Sequence, residues 1–404
     1  MVDNYSALAT QFSFIVTFFF ILSFASKRAG IQKIVLSSYV LHLVVGTFLW
    51  NSNVNIGDAR GFVTYGQIYA WYLKGGPVKP ILVSGKEGWP KLLGNIFYYV
   101  GSVPEIGIYI NAFLLSCAAI FVHLACKNLN IITEKPIAAL VVSFAPASIY
   151  WGSLPGREPS CWFCISVMVY SASRLIYKFE LMPIILMAAA TITMFPIRGS
   201  IALGLLGTFV ASIGLVGTAG NFGVVERRVL AFLVVLAASP AAMQRANDQG
   251  LHGGSTADMK TALGHANSSF VADGESGGNI FSISTLKTIP NIALGPLPWE
   301  WRPSLFLAIF DALFWAFLWY GCYTGVKITR RFDVMKLQLA PALIMIITMS
   351  ATLSNYGIVM RMRGLMIPVL APVFALWFVK NDVGKVEDED SKNDSMESNE
   401  ITKV

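Results

Sequence analysis

The chain has 404 residues, of which 55% are hydrophobic and only 13% charged, with a mean hydropathy of +0.61 and a formal net charge of +7. Apolar runs of about twenty residues recur from end to end, which excludes a soluble globular domain and calls for an all-α multi-pass membrane protein. The last 25 residues carry 4 basic and 8 acidic side chains, leaving 26 basic against 15 acidic, or +11, in the rest. In a membrane protein such an excess carries topological information and is no sign of nucleic-acid binding.

Eleven spans are predicted, near 8–26, 34–50, 106–126, 136–152, 160–177, 181–195, 200–219, 229–243, 304–325, 337–353 and 364–379. Several are short enough to be tilted or broken. Lys27, Arg28, Lys33, Lys127, Lys135, Arg174, Lys178, Arg227, Arg228, Lys327, Arg330, Arg331 and Lys336 all fall in five short connections on one side, which marks that side as cytoplasmic. The N-terminus is then extracytoplasmic. The outward loops are 51–105, 153–159, 196–199, 244–303 and 354–363, and two of them are long enough to expect functional structure. The chain divides into a polytopic domain, 1–379, and an acidic cytoplasmic tail, 380–404, whose composition predicts disorder. Glycines 204, 207, 214 and 217 suit close helix packing. Cys161 and Cys164 form a C-x-x-C inside an apolar run with no second pair, as buried core residues do.

The most informative stretch is 55–72. A helix starting at Asp58 places Phe62, Tyr65, Tyr69 and Tyr72 on one aromatic face, with the acid at its leading end. Such a helix would lie along the membrane surface, its rings at headgroup level. Asp58 then has two readings, a helix cap or a reactive acid. The outward loops also hold arginines where the topology rule expects few. Arg157 precedes Glu158 and Pro159 at a helix start, where a guanidinium and free N–H groups make an anion site. Glu158 either complements the helix dipole there or takes part in chemistry. Arg198 stands at another outward turn, and Arg361 and Arg363 come two residues apart, sharing a side only if that segment is extended. Asp311 is the one acid well inside a span, either a partner for an arginine or a functional group. His42 and His123 read as core residues, while His252 and His265 lie in the Gly-rich outward loop without ligand spacing.

Pro146, Trp151 and Ser153 followed by Arg157-Glu158 resemble a P-x-x-x-x-W-x-S…(R/K)(D/E) signature of bacterial polysaccharide-assembly proteins. Gly295-Pro296-Leu297-Pro298-Trp299-Glu300 is similar to their G-P-F-P-W-E segment, and Arg361 and Arg363 before Pro368 are similar to their ending. Together with an acid at the membrane edge of an outward loop, these residues resemble the GT-C class of integral membrane glycosyltransferases, over 50–380. In much of that class the acid-bearing loop follows the first span, whereas here it follows the second. Either the N-terminus has an extra helix or Asp58 is not the equivalent acid.

The resemblance implies an enzyme of the bacterial inner membrane that moves a sugar from a polyprenyl-phosphate-type donor to a glycan or lipid acceptor on the outer face. No G-x-G-x-x-G turn is present to hold a nucleotide sugar, which also points to a lipid-linked donor. Asp58 is expected as the base with Glu158 in reserve, Arg157, Arg198, Arg361 and Arg363 as the phosphate clamp, and Tyr65 and Trp299 as further substrate contacts. No ligand set for a divalent metal is visible, and a metal requirement is left open. A polymerase joining lipid-linked repeat units would use similar arginines. A lipid-linked glycan transporter would need several ionisable groups at mid-membrane depth, and a non-enzymatic assembly subunit is a further alternative.

Overall fold

The computed structural model describes residues 4–52, 58–77, 80, 87–216, 283–301, 305–352 and 356–379. The expected span at 229–243, most of the 244–303 loop with His252 and His265, Arg227 and Arg228, and the acidic tail lie outside the described residues. Among those described, the protein is built of helices without a β-strand; a single bridge joins Thr133 to Val379.

The helices are α1 (Asn4–Ala29), α2 (Gln32–Asn51), α3 (Asp58–Leu73), α4 (Gly88–Val100), α5 (Ile106–Asn128), α6 (Ile137–Phe144), α7 (Pro146–Ser153), α8 (Glu158–Leu175), α9 (Leu181–Val216), α10 (Ile283–Ala293), α11 (Phe306–Thr329), α12 (Phe332–Thr352), α13 (Tyr356–Arg363) and α14 (Ile367–Ala375). Six segments among the described residues are long and apolar enough to cross a membrane, and they account for the expected spans near 8–26, 34–50, 106–126, 181–195, 304–325 and 364–379. Large apolar side chains stand on the outside, with Phe20 69%, Phe48 69% and Ile192 72% exposed. An apolar exterior of this extent suits contact with lipid. The protein is therefore an all-α membrane protein.

Prolines break the helices at two places. The span expected near 136–152 is two short helices, because Pro146 starts α7 and Ala145 before it is pushed into an extended conformation. The two expected near 181–195 and 200–219 run as α9, kinked at Arg198 just after Pro196, whose missing N–H removes a helical hydrogen bond.

Antiparallel passes leave two ends. At one, Lys127 Nζ donates to Ala29 O at 2.7 Å, Arg331 Nη2 to Leu129 O at 2.8 Å, and Arg174 pairs with Glu180 at 2.5 Å. The other end gathers the starts of α3 and α8, the last turn of α13 and the kink of α9. The 23 residues of α5 separate the two ends by about 34 Å.

At that second end α3 and α4 form a hairpin over the bundle. Ala59, Phe62, Val63, Gly66 and Ala70 make the buried face of α3, at helical spacing. The expected outward aromatic face is thus only partly formed, since Phe62 turns inward while Tyr65 is 43% exposed. Gly66 and Gly94 let the hairpin close: a Cβ on Gly94 would stand 2.8 Å from Gly66 O and 2.9 Å from Tyr69 Cβ. Gly204, by contrast, meets Ile344 at an ordinary 3.6 Å. Gly94→Val should therefore push α3 off α4 and cost about 1–3 kcal/mol, the usual penalty for overpacking. Thermal unfolding of the detergent-solubilised protein measures it, and Gly204→Ala should be near neutral.

Candidate functional site

Four chain segments bring ionised groups together at the end opposite the basic loops. Asp58 is the first residue of α3, Glu158 the first of α8, Arg198 sits at the kink of α9 and Arg361 in α13. Asp58 and Glu158 each face the positive end of their own helix dipole, which suits a carboxylate. The 154–157 loop that leads into α8 is fixed from two sides. Asn111 Nδ2 donates to Leu154 O at 2.5 Å and Gly156 O at 2.8 Å, and Trp89 Nε1 donates to Pro155 O at 3.0 Å.

Glu158 is the centre of the cluster. Its side chain is 1% exposed, and Oε1 accepts from Arg361 Nε at 2.6 Å and Arg198 Nη2 at 2.9 Å, with Arg157 Nε 3.9 Å away. Burial raises its pKa, but the guanidinium groups of Arg361, Arg198 and Arg157 outweigh that effect and hold the carboxyl at about 2. A carboxylate so strongly held makes a poor base near neutral pH. The reserve role expected for Glu158 therefore sits badly with its surroundings, which fit a fixed counter-charge.

Asp58 occupies the mouth. Its side chain is 59% exposed, and Arg361 Nη1 donates to Oδ2 at 3.0 Å. Arg361 thus spans both acids, one in solvent and one buried. Its guanidinium lies 5.5 Å from the ring centre of Trp151 and 6.0 Å from that of Phe62, while Arg157 lies 5.8 Å from Phe62. Aromatic faces at this range attract cations and exclude water. Arg157 Nη1 donates to Ile197 O at the kink, at 3.2 Å. Arg198 Nε is buried without an acceptor among the described residues.

Arg363 does not join this cluster. The segment is helical, so residues two apart point about 200° from each other. Arg363 is fully buried and pairs with Asp311, and Nη1 donates to Gly295 O at 3.0 Å. Asp311 is thus the partner of an arginine. Trp299 is 79% exposed at the tip of a 3₁₀ turn, and among the described residues neither it nor Tyr65 makes an ion pair, hydrogen bond or ring contact with the charged groups. Arg60 donates to the carbonyls of Trp50 and Ser52 at the end of α2.

Sequence reasoning missed Asn111 and Trp89 as supports of the site, and marked Trp151 only as part of a motif without giving it a role. A lone amide in the apolar run of α5 was a usable signal for Asn111. His42 is a core residue as expected, its ring nitrogens 2.6 Å from Ser38 O and 3.2 Å from Ser148 O. Among the described residues no group of three or more His, Cys, Asp or Glu side chains is placed to hold a metal ion. No family model, curated protein or solved structure matches the chain.

The two acids should behave differently when neutralised. Glu158→Gln removes the buried counter-charge that three guanidiniums share and should cost about 3–5 kcal/mol, as loss of one partner from a buried ion pair does. Asp58→Asn breaks a pair open to solvent and should cost no more than about 1 kcal/mol. Because the carboxyl of Glu158 is held low when folded, its contribution is complete above the ordinary carboxylate range and is lost as pH falls toward about 2. Unfolding temperatures measured between pH 6 and pH 3, taken as a round working range of ordinary buffers, should fall in the parent protein and fall less in Glu158→Gln.

Proposed function

We propose that this chain is a membrane glycosyltransferase that takes a sugar from a polyprenyl-phosphate-type donor and transfers it to a glycan or lipid acceptor at the extracytoplasmic face of the bacterial inner membrane. The observation that carries the reading is the cluster at the mouth of the bundle. One exposed carboxylate, Asp58, stands against Arg361, and two further buried guanidiniums, Arg198 and Arg157, lie behind it around Glu158. An acid open to solvent beside convergent cations is what transfer from an anionic donor requires.

Asp58 accepts the proton of the acceptor hydroxyl as that oxygen attacks the anomeric carbon. The bond between that carbon and the phosphate oxygen breaks, and its electron pair stays on the phosphate. Arg361, Arg198 and Arg157 stabilise the charge that develops there, Arg198 Nε being a buried donor still in want of an acceptor. Planar guanidiniums suit a phosphate better than ammonium groups do. The motif residues around Trp151, Arg157 and Glu158 that resemble the GT-C class fall within or beside this cluster, which supports the same reading. The basic loops at the opposite end support an extracytoplasmic placement of the site and an N-terminus on that side. The full complement of eleven spans belongs to this proposal. Asp311, neutralised by Arg363, offers little to a transporter.

Asp58→Asn should lower sugar transfer from a purified polyprenyl-phosphate-linked donor by about 10²–10⁴-fold at unchanged membrane abundance. Arg157→Lys should lose most activity, and Arg60→Lys should not. Full activity in Asp58→Asn would remove the base from the mechanism. Reporter fusions after Gly75 and after Lys135 should read extracytoplasmic and cytoplasmic respectively, and the reverse result would put the cluster on the wrong side for a lipid-linked donor.

A further inference from the structure

The eight residues of α13 carry Arg361 and run through the 3₁₀ turn Gly364–Met366 directly into α14, which sets the direction of the helix axis. The rotation of α13 about that axis, and with it the aim of Arg361, is set by what its sides touch. On the front, Arg361 contacts Glu158 and Asp58, and these are contacts that an arriving anion would compete for. On the rear, a separate set of interactions holds α13 to the 291–300 segment and to α11. Tyr356 donates its hydroxyl to Glu300 Oε2 at 2.5 Å. The same oxygen accepts Leu297 N at 2.8 Å and closes the 3₁₀ turn. Arg363 Nη1 reaches Gly295 O at 3.0 Å and Ile292 O at 3.4 Å, while Nη2 pairs with Asp311 of α11. Arg363 also lies 5.3 Å from the ring centre of Trp315, one turn beyond Asp311. Gly295 permits the approach, since a Cβ there would stand 2.7 Å from Tyr356 Cε1 and 2.6 Å from Asn291 O.

We infer that Glu300, Tyr356 and the Asp311–Arg363 pair are positioning residues, which grip the rear of α13 and fix the direction of Arg361 independently of what Arg361 binds. The helical spacing makes this possible, because Arg361 and Arg363 project to opposite sides of one short element. When a phosphate replaces Asp58 or Glu158 as partner of Arg361, the rear grip keeps the guanidinium aimed and spares the site the entropy of ordering a loose side chain at that moment. The inference rests on the anion-site reading for its catalytic consequence, but the orientation of Arg361 can be measured without it.

Two measurements on the full-length protein test it. Tyr356→Phe deletes one hydroxyl and keeps the ring that packs on Gly295, so it should fold even if Glu300→Gln does not. In transfer from a polyprenyl-phosphate-linked sugar, Tyr356→Phe should lower kcat/KM about tenfold, the worth of one hydrogen bond to a charged group. Added to Arg361→Lys, it should cost nothing further, which a purely structural role does not predict. The second measurement is the labelling rate of Arg361→Cys by a charged, membrane-impermeant thiosulfonate. The five native cysteines are buried or half-buried, so the introduced thiol dominates the signal. Tyr356→Phe should raise that rate severalfold, and Tyr99→Phe, at a residue 82% exposed, should leave it unchanged. An unchanged labelling rate in Tyr356→Phe overturns the positioning role whatever the transfer assay reads. A parent protein that transfers no sugar, with labelling raised as expected, overturns the glycosyltransferase reading alone.

Discussion

A single buried carboxylate holds this structure's charged end together. Three arginines from three separate segments surround Glu158, and each would be very costly to bury alone. Glu158 can serve them all because it begins α8, where the helix dipole favours its charge, and because Asn111 and Trp89 fix the loop before it. The kink of α9 and the last turn of α13 are thereby tied to the same point. The cluster has the character of a buried ion network, in which geometry matters more than net stabilisation.

Proline placement does much of the shaping around it. Pro146 divides one expected crossing into α6 and α7 and so turns Trp151 toward Arg361. Pro196 breaks the hydrogen-bond ladder of α9 just before Arg198, and Arg157 donates to the Ile197 carbonyl at that break. At this second break a helix defect frees a backbone carbonyl at the place where a cation uses it.

Much of the site was legible because charge is scarce in an apolar chain. Asp58, Arg157, Arg198 and Arg361 stood out for lying where basic and acidic residues are few, and all four meet in the structure. What sequence could not reveal was direction. Arg361 and Arg363 differ by two positions, and only the helical state of that segment separates them, one to the cluster and one to Asp311. Phe62 matched an aromatic face suited to lipid, but the close crossing of Gly66 and Gly94 rotates it inward. Hydropathy marked the division at 196–199, where Pro196 kinks α9, but it averaged over the break that Pro146 imposes between α6 and α7. The part Glu158 plays as a counter-ion depends on contacts across about 40 and 203 residues of chain, which no local pattern records.

The link between Asp58 and Arg361 gives the mouth a particular electrical character. Three guanidiniums face two carboxylates, so the cluster carries one net positive charge with its outermost cation already engaged. A small, well-hydrated anion such as chloride gains little by displacing a tethered carboxylate whose local concentration is high. A phosphate, with several oxygens to share among Arg361 and the donors behind it, gains more for the same displacement. Asp58 thus acts as a resident competitor that sets a threshold for entry.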